Sequence, residues 1–282
     1  MNTIEQALAE ARQQIKSLPH APTKLEAEVL LAFALQQSRS YLYTWPQRAL
    51  TEEQDARFRE LVARRCRGEP IAYITGRREF WGLDLKVSPA TLIPRPETEH
   101  LVEIALHYIP EHQPMTIADL GTGSGALALA LASERPRCQI IATDVSTPAL
   151  EIAEQNRQNL QLANVRFLHG RWFAPLANLR FDIVVSNPPY VAADDPHLQR
   201  GDLRFEPQQA LSSGPDGLHD IREIITTAPG YMKPGAWLIL EHGYNQGDAV
   251  TDLFHHGGFT RVACHHDYAE RERTTIGQLP PV

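Results

Sequence analysis

The sequence predicts an α/β protein: a small helical bundle, a hairpin linker, then a doubly wound sheet of seven strands. Three observations predict it. From Met115 onward, strand-like and helix-like stretches alternate, the pattern of a parallel sheet with helices packed on its faces. No strand pattern interrupts residues 1–75. Between these regions, residues 76–95 open on a short alternating run and then meet Pro89 and Pro94, which forbid regular structure.

The elements follow in order. Ile4, Ala7, Leu8, Ala11, Ile15 and Leu18 recur at helical spacing over residues 3–18. A second helix is expected near Thr23–Gln36, entered after Pro22. A third begins at Thr51 with Gln54 three residues on, a capping-box pattern, and stops at Gly68 with Pro70 beyond. Its basic end, Arg64-Arg65-Cys66-Arg67, reads as solvated. Phe80 to Val87 alternates like a strand or hairpin. Pro96 suits a first helical turn, with Glu97 and Glu99 near its positive end, so residues 96–282 form the second domain. The strands expected there are TIADL, QIIATDV, VRFLHG, FDIVVSN, AWLILEHG, TRVACHHD and RTTIGQL. Helical patterns at 125–134, 147–160 and 217–230 separate the earlier ones. Only turn-like residues lie between the last two, which predicts an antiparallel hairpin at one edge of the sheet.

Charge narrows the function classes. The formal net charge is −7. Residues 1–75 carry ten Lys/Arg and nine Asp/Glu; residues 76–282 carry 17 and 25. The larger half is therefore ill suited to lie on phosphates, and no direct nucleic-acid partner is expected. Cys66, Cys138 and Cys264 are odd in number and far apart, which reads as reduced thiols in a cytoplasmic protein, without disulfides or a zinc site. The pairs His255-His256 and His265-His266 lack further ligands at metal spacing and read as surface histidines; no metal is expected. The amino terminus is polar and acidic, unlike a signal peptide, and no apolar run approaches the ~20 residues that span a bilayer.

The first chemical motif is Asp119-Leu-Gly-Thr-Gly-Ser-Gly125, directly after a buried strand and before a helix. Gly121, Gly123 and Gly125 let the backbone turn sharply and approach a ligand at the carboxyl edge of the sheet. The next strand ends at Asp144, nineteen residues beyond Gly125, the distance at which an acid meets ribose hydroxyls. The spacing is not that of a dinucleotide loop, and no phosphate-binding lysine follows. Asp119 repels a pyrophosphate but welcomes a cationic amino group. S-adenosylmethionine fits: a ribose for Asp144 and an aminoacyl end near Asp119.

The second motif is Ser186-Asn-Pro-Pro-Tyr190. Each proline holds the residue before it extended and fixes its own φ near −65°. Neither proline offers a backbone N–H, so the rim presents acceptors without competing donors. The Asn187 side-chain oxygen is a further acceptor. Together they can hold both hydrogens of a planar –NH2 group, while Tyr190 offers a flat face for stacking. An amide or aryl amine nitrogen is a poor nucleophile. Pinning both hydrogens raises its electron density and aligns it in line with a sulfonium methyl.

Residues 116–190 thus resemble a class I S-adenosylmethionine-dependent methyltransferase of the Asn-Pro-Pro-Tyr branch. With the helical amino-terminal part, the linker EFWGLDLKVSPATLIPRPETE and the segment GDLRFEP, the whole chain resembles the HemK/PrmC family of peptide chain release factor N(5)-glutamine methyltransferases. The resemblance implies a Rossmann-like catalytic domain and a substrate, the glutamine of the Gly-Gly-Gln motif in class 1 release factors, gripped by the amino-terminal bundle. It implies that Gly121, Thr122, Gly123, Ser124 and Gly125 line the cofactor loop beside Asp119, and that Asp144 binds the ribose. It implies that Trp172 lies beside the adenine. Asn187, Pro188, Pro189 and Tyr190 are to hold the glutamine amide, with Asn187 also near the cofactor. Arg95, Glu97 and Glu206 read either as the substrate mouth or as linker ion pairs. Two other functions use parts of the pattern: a nucleic-acid amino methyltransferase, against which the charge speaks, and a non-catalytic nucleotide-binding module, against which two intact motifs speak.

Overall fold

One face of each early helix is apolar, and those faces can be buried only against one another. The computed structural model describes residues 2–16 and 22–281. The chain divides into two units, Met1–Arg77 with Arg200–Phe205, and Arg78–Gln199 with Glu206–Val282.

The first unit holds α1 (Ile4–Ile15), α2 (Thr23–Leu35), α3 (Arg39–Thr44), α4 (Glu52–Cys66) and α5 (Ile71–Thr75). Ile4, Leu8, Ile15, Leu30, Leu31 and Phe58 meet in its core. Leu18, expected on the first helix, lies outside the described residues. Thr51 and Gln54 form the expected reciprocal cap of α4. Gly68, at φ +92°, takes the left-handed turn beyond its end. Helices α3 and α5, of six and five residues, are too short for a hydrophobic period to reveal.

The expectation of a solvated end for α4 fails at Arg65, which is 6% exposed. Its guanidinium forks onto Glu26 at 2.9 and 3.0 Å and reaches Asp202 at 2.9 Å. Those partners are 39 and 137 positions away, so no local pattern announces them. Asp202 arrives with the Gly-Asp-Leu-Arg-Phe segment, whose Arg204 donates to the Arg67 carbonyl at 2.7 Å.

In the second unit, β1 (Arg77–Phe80) and β2 (Leu83–Lys86) form the hairpin. Its turn is Trp81-Gly82, both at positive φ, the handedness that matches twisted strands. The main sheet contains β3 (Thr116–Leu120), β4 (Gln139–Asp144), β5 (Val165–His169), β6 (Phe181–Ser186), β7 (Met232–Glu241), β8 (Thr260–His266) and β9 (Glu272–Gln278), in the order β5-β4-β3-β6-β7-β9-β8. Pairings from β5 to β7 are parallel. Strand β9 runs antiparallel to both β7 and β8, so the expected edge hairpin forms, with its later strand inserted next to β7.

The helices are α6 (Pro96–His107), α7 (Ala126–Glu134), α8 (Thr147–Asn159), α9 (His219–Thr227) and α10 (Gly247–His256). Side chains alternate across each strand. Ile117, Ile183 and Ile239 face one core, shared with α6 and α7. Ala118, Val184 and Leu240 face the other, shared with α9 and α10. Helix α10 was not expected from the sequence; Val250 and Phe254 anchor it. Strand order reverses between β3 and β6, and the loops after β3, β4 and β6 leave the sheet at the same carboxyl edge. That is the switch point where open α/β sheets bind ligands.

Candidate active site

The chain brings most of the sequence-predicted residues to that edge. A cavity of about 270 Å³ is lined by Gly121, Gly123, Asp144, Trp172, Asn187 and Pro189, among others. A smaller one, of about 50 Å³, adjoins it and is lined by Asp119, Gly121, Thr122, Gly123, Ser124 and Asn187. Asn187 lines both.

The glycine loop is shaped by contacts at two of its glycines. Gly121 has φ +73°, and a Cβ there would stand 3.0 Å from the Trp172 ring. The ring therefore lies across the loop because position 121 has no side chain. Gly125 serves differently: it lines neither cavity, and a Cβ there would press on Leu129, Ala153 and Phe167 at 3.0 to 3.2 Å. It lets α7 start close to α8 and β5. Trp172 itself sits at φ +46°, with its carbonyl held by the Thr143 hydroxyl at 2.9 Å.

Two carboxylates flank the loop. Asp119 is 1% exposed and accepts the Thr122 hydroxyl at 2.6 Å. Burial pushes its pKa up to about 7, and the nearby Asp144 charge adds to the rise. Asp144 accepts the Gly123 amide and the Ser146 amide, each at 2.8 Å. Burial raises its pKa as well, against those donors. Arg171, which also lines the larger cavity, is committed to Asp220 at 2.7 Å and Glu223 at 2.6 Å. A buried acid in the smaller cavity, a half-buried one in the larger and a neutralised arginine suit an ammonium group and a sugar far better than phosphate. The donor set and the glycine cradle under Trp172 thus fit S-adenosylmethionine.

The Asn-Pro-Pro-Tyr segment leaves β6 under restraint. The Ser186 hydroxyl donates to the Leu120 carbonyl at 2.6 Å and ties the ends of β6 and β3. Asn187 Nδ2 donates to Thr98 Oγ1 at 3.0 Å. Pro188 is buried and lines neither cavity. Tyr190 lines neither: its ring packs among the α9 and α10 core, and its hydroxyl donates to Glu241 Oε1 at 3.3 Å. The Gln246 side chain donates to the Tyr190 carbonyl at 3.0 Å. Burial and the Glu241 charge raise the Tyr190 pKa, so the phenol stays protonated.

Arg95 and Glu206 pair with each other, and Glu206 also accepts the Ile93 amide at 3.0 Å. They are linker contacts at the wall that Ala90, Thr91 and Leu92 contribute to the larger cavity. Glu97 is exposed in the first turn of α6. His255 and His256 are exposed; His265 is half-buried. Among the described residues, no group of three or more His, Cys, Asp or Glu is placed to hold a metal, and no helix is long and apolar enough to cross a membrane.

Sequence reasoning missed Thr98, Asn156 and Glu241. Asn156, 1% exposed, accepts the Lys86 amide and donates to the Lys86 and Ser124 carbonyls at 3.0 and 2.9 Å, clamping the hairpin to the glycine loop. Glu241 had one readable signal, an acid ending an otherwise apolar strand.

Comparison with known proteins follows the same outline. The family model "PrmC N-terminal domain" matches residues 6–76, and "Methyltransferase small domain" matches residues 100–202. A release factor glutamine methyltransferase of Vibrio cholerae is 48% identical over 98% of this chain and 96% of its own length. One from Pseudomonas aeruginosa is 50% identical, covering 93% of this chain and 95% of its own. Among solved structures, a methyltransferase from Pyrococcus furiosus aligns with a TM-score of 0.55 at 18% identity, covering 77% of this chain and 97% of that one, a likeness of fold.

Proposed function

The chain belongs to the release factor glutamine methyltransferase family, and we infer that it methylates the side-chain amide of a glutamine in a release factor. The glutamine we assign is that of the Gly-Gly-Gln motif in class 1 factors. When bound, S-adenosylmethionine supplies an electrophilic methyl group and leaves as S-adenosylhomocysteine. The chain's own residues do the rest. Asp144 is assigned to the ribose hydroxyls and Trp172 to the adenine. The buried Asp119, oriented by Thr122, is assigned to the aminoacyl ammonium, with Gly121, Gly123 and Ser124 providing the cradle.

The observation that carries the reading is the state of Asn187. It lines both cavities, and its Nδ2 is already occupied by Thr98. That leaves Oδ1 as an acceptor. With the Pro188 carbonyl it can take both N–H groups of the substrate amide and hold the nitrogen in line with the methyl. Orientation of this kind supplies roughly 7–11 kcal/mol of a barrier. Tyr190, whose ring lies in the α9 and α10 core and lines neither cavity, is assigned to holding this segment from behind, with its hydroxyl on Glu241. The proton lost from nitrogen becomes acidic as the N–C bond forms and leaves to water, so no strong base is needed.

We assign the Met1–Arg77 unit to gripping the release factor; it exposes Tyr43 at 58% and Trp45 at 54%, aromatics of the kind that anchor protein partners. No nucleic acid or membrane partner is assigned, and the reaction is placed in the cytoplasm. The test is direct. Purified chain, S-adenosylmethionine and a class 1 release factor are incubated, and peptides are mapped by mass spectrometry. One methyl group on the Gly-Gly-Gln glutamine is expected. Transfer to RNA or DNA, with none to the release factor, overturns the reading.

A further inference from the structure

We propose that Glu206 is a positioning residue for the substrate peptide: it bolts together the two walls of the cavity mouth, so that the mouth admits a glutamine preceded by glycine and resists a larger neighbour. The proposal rests on the substrate reading given above and deepens it.

The lining of the larger cavity falls into two parts. Gly121, Asp144 and Trp172 belong to the half assigned to the cofactor. Beyond Asn187, the lining comes from residues 90–92 of the linker and from residues between 207 and 212, after the Asn-Pro-Pro-Tyr motif. A glutamine side chain that reaches Asn187 therefore passes between these two walls. Ala90, Ala210 and Ser212 on them carry short side chains, which leaves a slot for main chain and little room beside it.

Each wall is self-bonded and tied at its far end. In the first, the Thr91 amide donates to the Ser88 carbonyl at 2.9 Å and the Ala90 amide to the Ser88 hydroxyl at 3.2 Å. Asn156 fastens Lys86 just before that turn. In the second, the Ala210 and Leu211 amides donate to the Pro207 and Gln208 carbonyls at 2.9 and 3.1 Å. The Val191 amide donates to the Leu211 carbonyl, and the Ser213 amide to the Val191 carbonyl, each at 2.9 Å. That fastens the second wall to the residue that follows the motif.

The end of the first wall and the start of the second meet at Glu206. Its side chain is fully buried, Oε2 accepts the Ile93 amide at 3.0 Å, and Oε1 takes the Arg95 guanidinium. Charge-assisted bonds of this kind are short and directional, so one carboxylate holds the mouth at one width. Glycine before the glutamine puts main chain alone in the slot. A Cβ there presses on walls that are held at both ends, and overpacking of that kind is unfavourable.

The experiment uses the full chain, saturating S-adenosylmethionine and two full-length class 1 release factors, one with Gly-Gly-Gln and one with Gly-Ala-Gln. Wild type, Glu206→Ala and Arg95→Ala are compared by kcat and KM for each factor and by Kd for S-adenosylhomocysteine. Wild type should prefer the Gly-Gly-Gln factor by roughly 10- to 200-fold in kcat/KM, the weight of one misfitting carbon. Glu206→Ala should narrow that preference to less than about threefold and raise KM for the Gly-Gly-Gln factor roughly tenfold, with kcat falling less than about threefold, because the peptide must then order the slot itself. Arg95→Ala, which leaves Ile93 tied, should narrow the preference partway. Both variants should keep the Kd within about threefold. Wild-type preference retained in Glu206→Ala overturns the proposal, and so does a wild type that methylates both factors equally well. A Kd raised more than about tenfold in either variant also overturns it, since the wall then serves the cofactor. If Glu206→Ala fails to fold, Arg95→Ala decides, and an unchanged preference there overturns the proposal. A wild type that methylates neither factor overturns the reading of function, and this proposal with it.

Discussion

In the assignment proposed above, Asn187 and Asp119 divide the work of the site between orientation and charge. Asn187→Ala removes the acceptor we assign to the substrate amide and is expected to cost roughly 10²–10³ in kcat, as loss of one preorganised hydrogen-bonding group does at other transition states. Cofactor binding should weaken but remain measurable by titration calorimetry. Asp119 offers a test with a defined sign. Its carboxyl rises from 3.8 to about 7 on folding, so the stability of its neutral form is fully present below 3.8 and lost as pH rises through about 7. At pH 8 the folded apoprotein carries the whole penalty. Asp119→Asn should therefore raise the melting temperature at pH 8 by about 2–4 °C for each ~1 kcal/mol recovered, and leave it unchanged near pH 4. The same variant loses the charge offered to the ammonium, and S-adenosylmethionine affinity should fall roughly 10- to 100-fold, the weight of a hydrogen bond to a charged group. Asn187 and Asp119 were both legible in the sequence because their motifs are local. Thr98 and Glu241 were not, because their partners lie 89 and 51 positions away.

At the scale of elements, strands and long helices announce themselves by period, whereas the clamps between them do not. Asn156 ties α8 to the hairpin and to the glycine loop through three hydrogen bonds, the one to Ser124 buried and the two to Lys86 half-buried. Asn156→Ala leaves the buried Ser124 carbonyl and the half-buried Lys86 amide and carbonyl without that partner. It should destabilise the protein by about 2–4 kcal/mol in urea unfolding, given ~1–3 kcal/mol for each group left unsatisfied and partial relaxation. Gly217 is a second hidden constraint. It sits at φ +73°, and a Cβ there would stand 2.3 Å from the Tyr190 carbonyl oxygen. Gly217→Ala should shift the Asn-Pro-Pro-Tyr segment and cut turnover at least about tenfold while sparing cofactor affinity, a split read from kcat and Kd. Helices α3 and α5 escaped the sequence because five or six residues hold less than two turns of periodicity. Helix α10 escaped because its polar start and its His-His-Gly-Gly end resemble a loop, while Val250 and Phe254, with Leu253 beside them, seal it to the core.

For the whole molecule, net charge and the two-unit division carry the remaining expectations. A nucleic-acid enzyme with 6–10 phosphate contacts loses roughly 10³–10⁵ in affinity between about 50 and 200 mM salt. This chain, at −7, should show less than about a tenfold change in KM for its release factor over that range, measured with the Gly-Gly-Gln methylation assay. Composition and periodicity alone determined the α/β class, the helical amino-terminal part, the strands of the catalytic sheet and the two loops that carry chemistry. Each of these is written in neighbouring residues, where steric limits on proline and glycine and the burial of one face act over a few positions. Only the tertiary structure decided that Asp202 leaves the catalytic part of the sequence to pair with Arg65, and that Gly125 serves packing while Gly121 serves the cavity. Only it decided that Asn187 is held by Thr98 and that Tyr190 reaches a buried Glu241. A buried charge or amide takes whatever partner the fold delivers, and that partner is set by which strands and helices meet, not by distance along the chain.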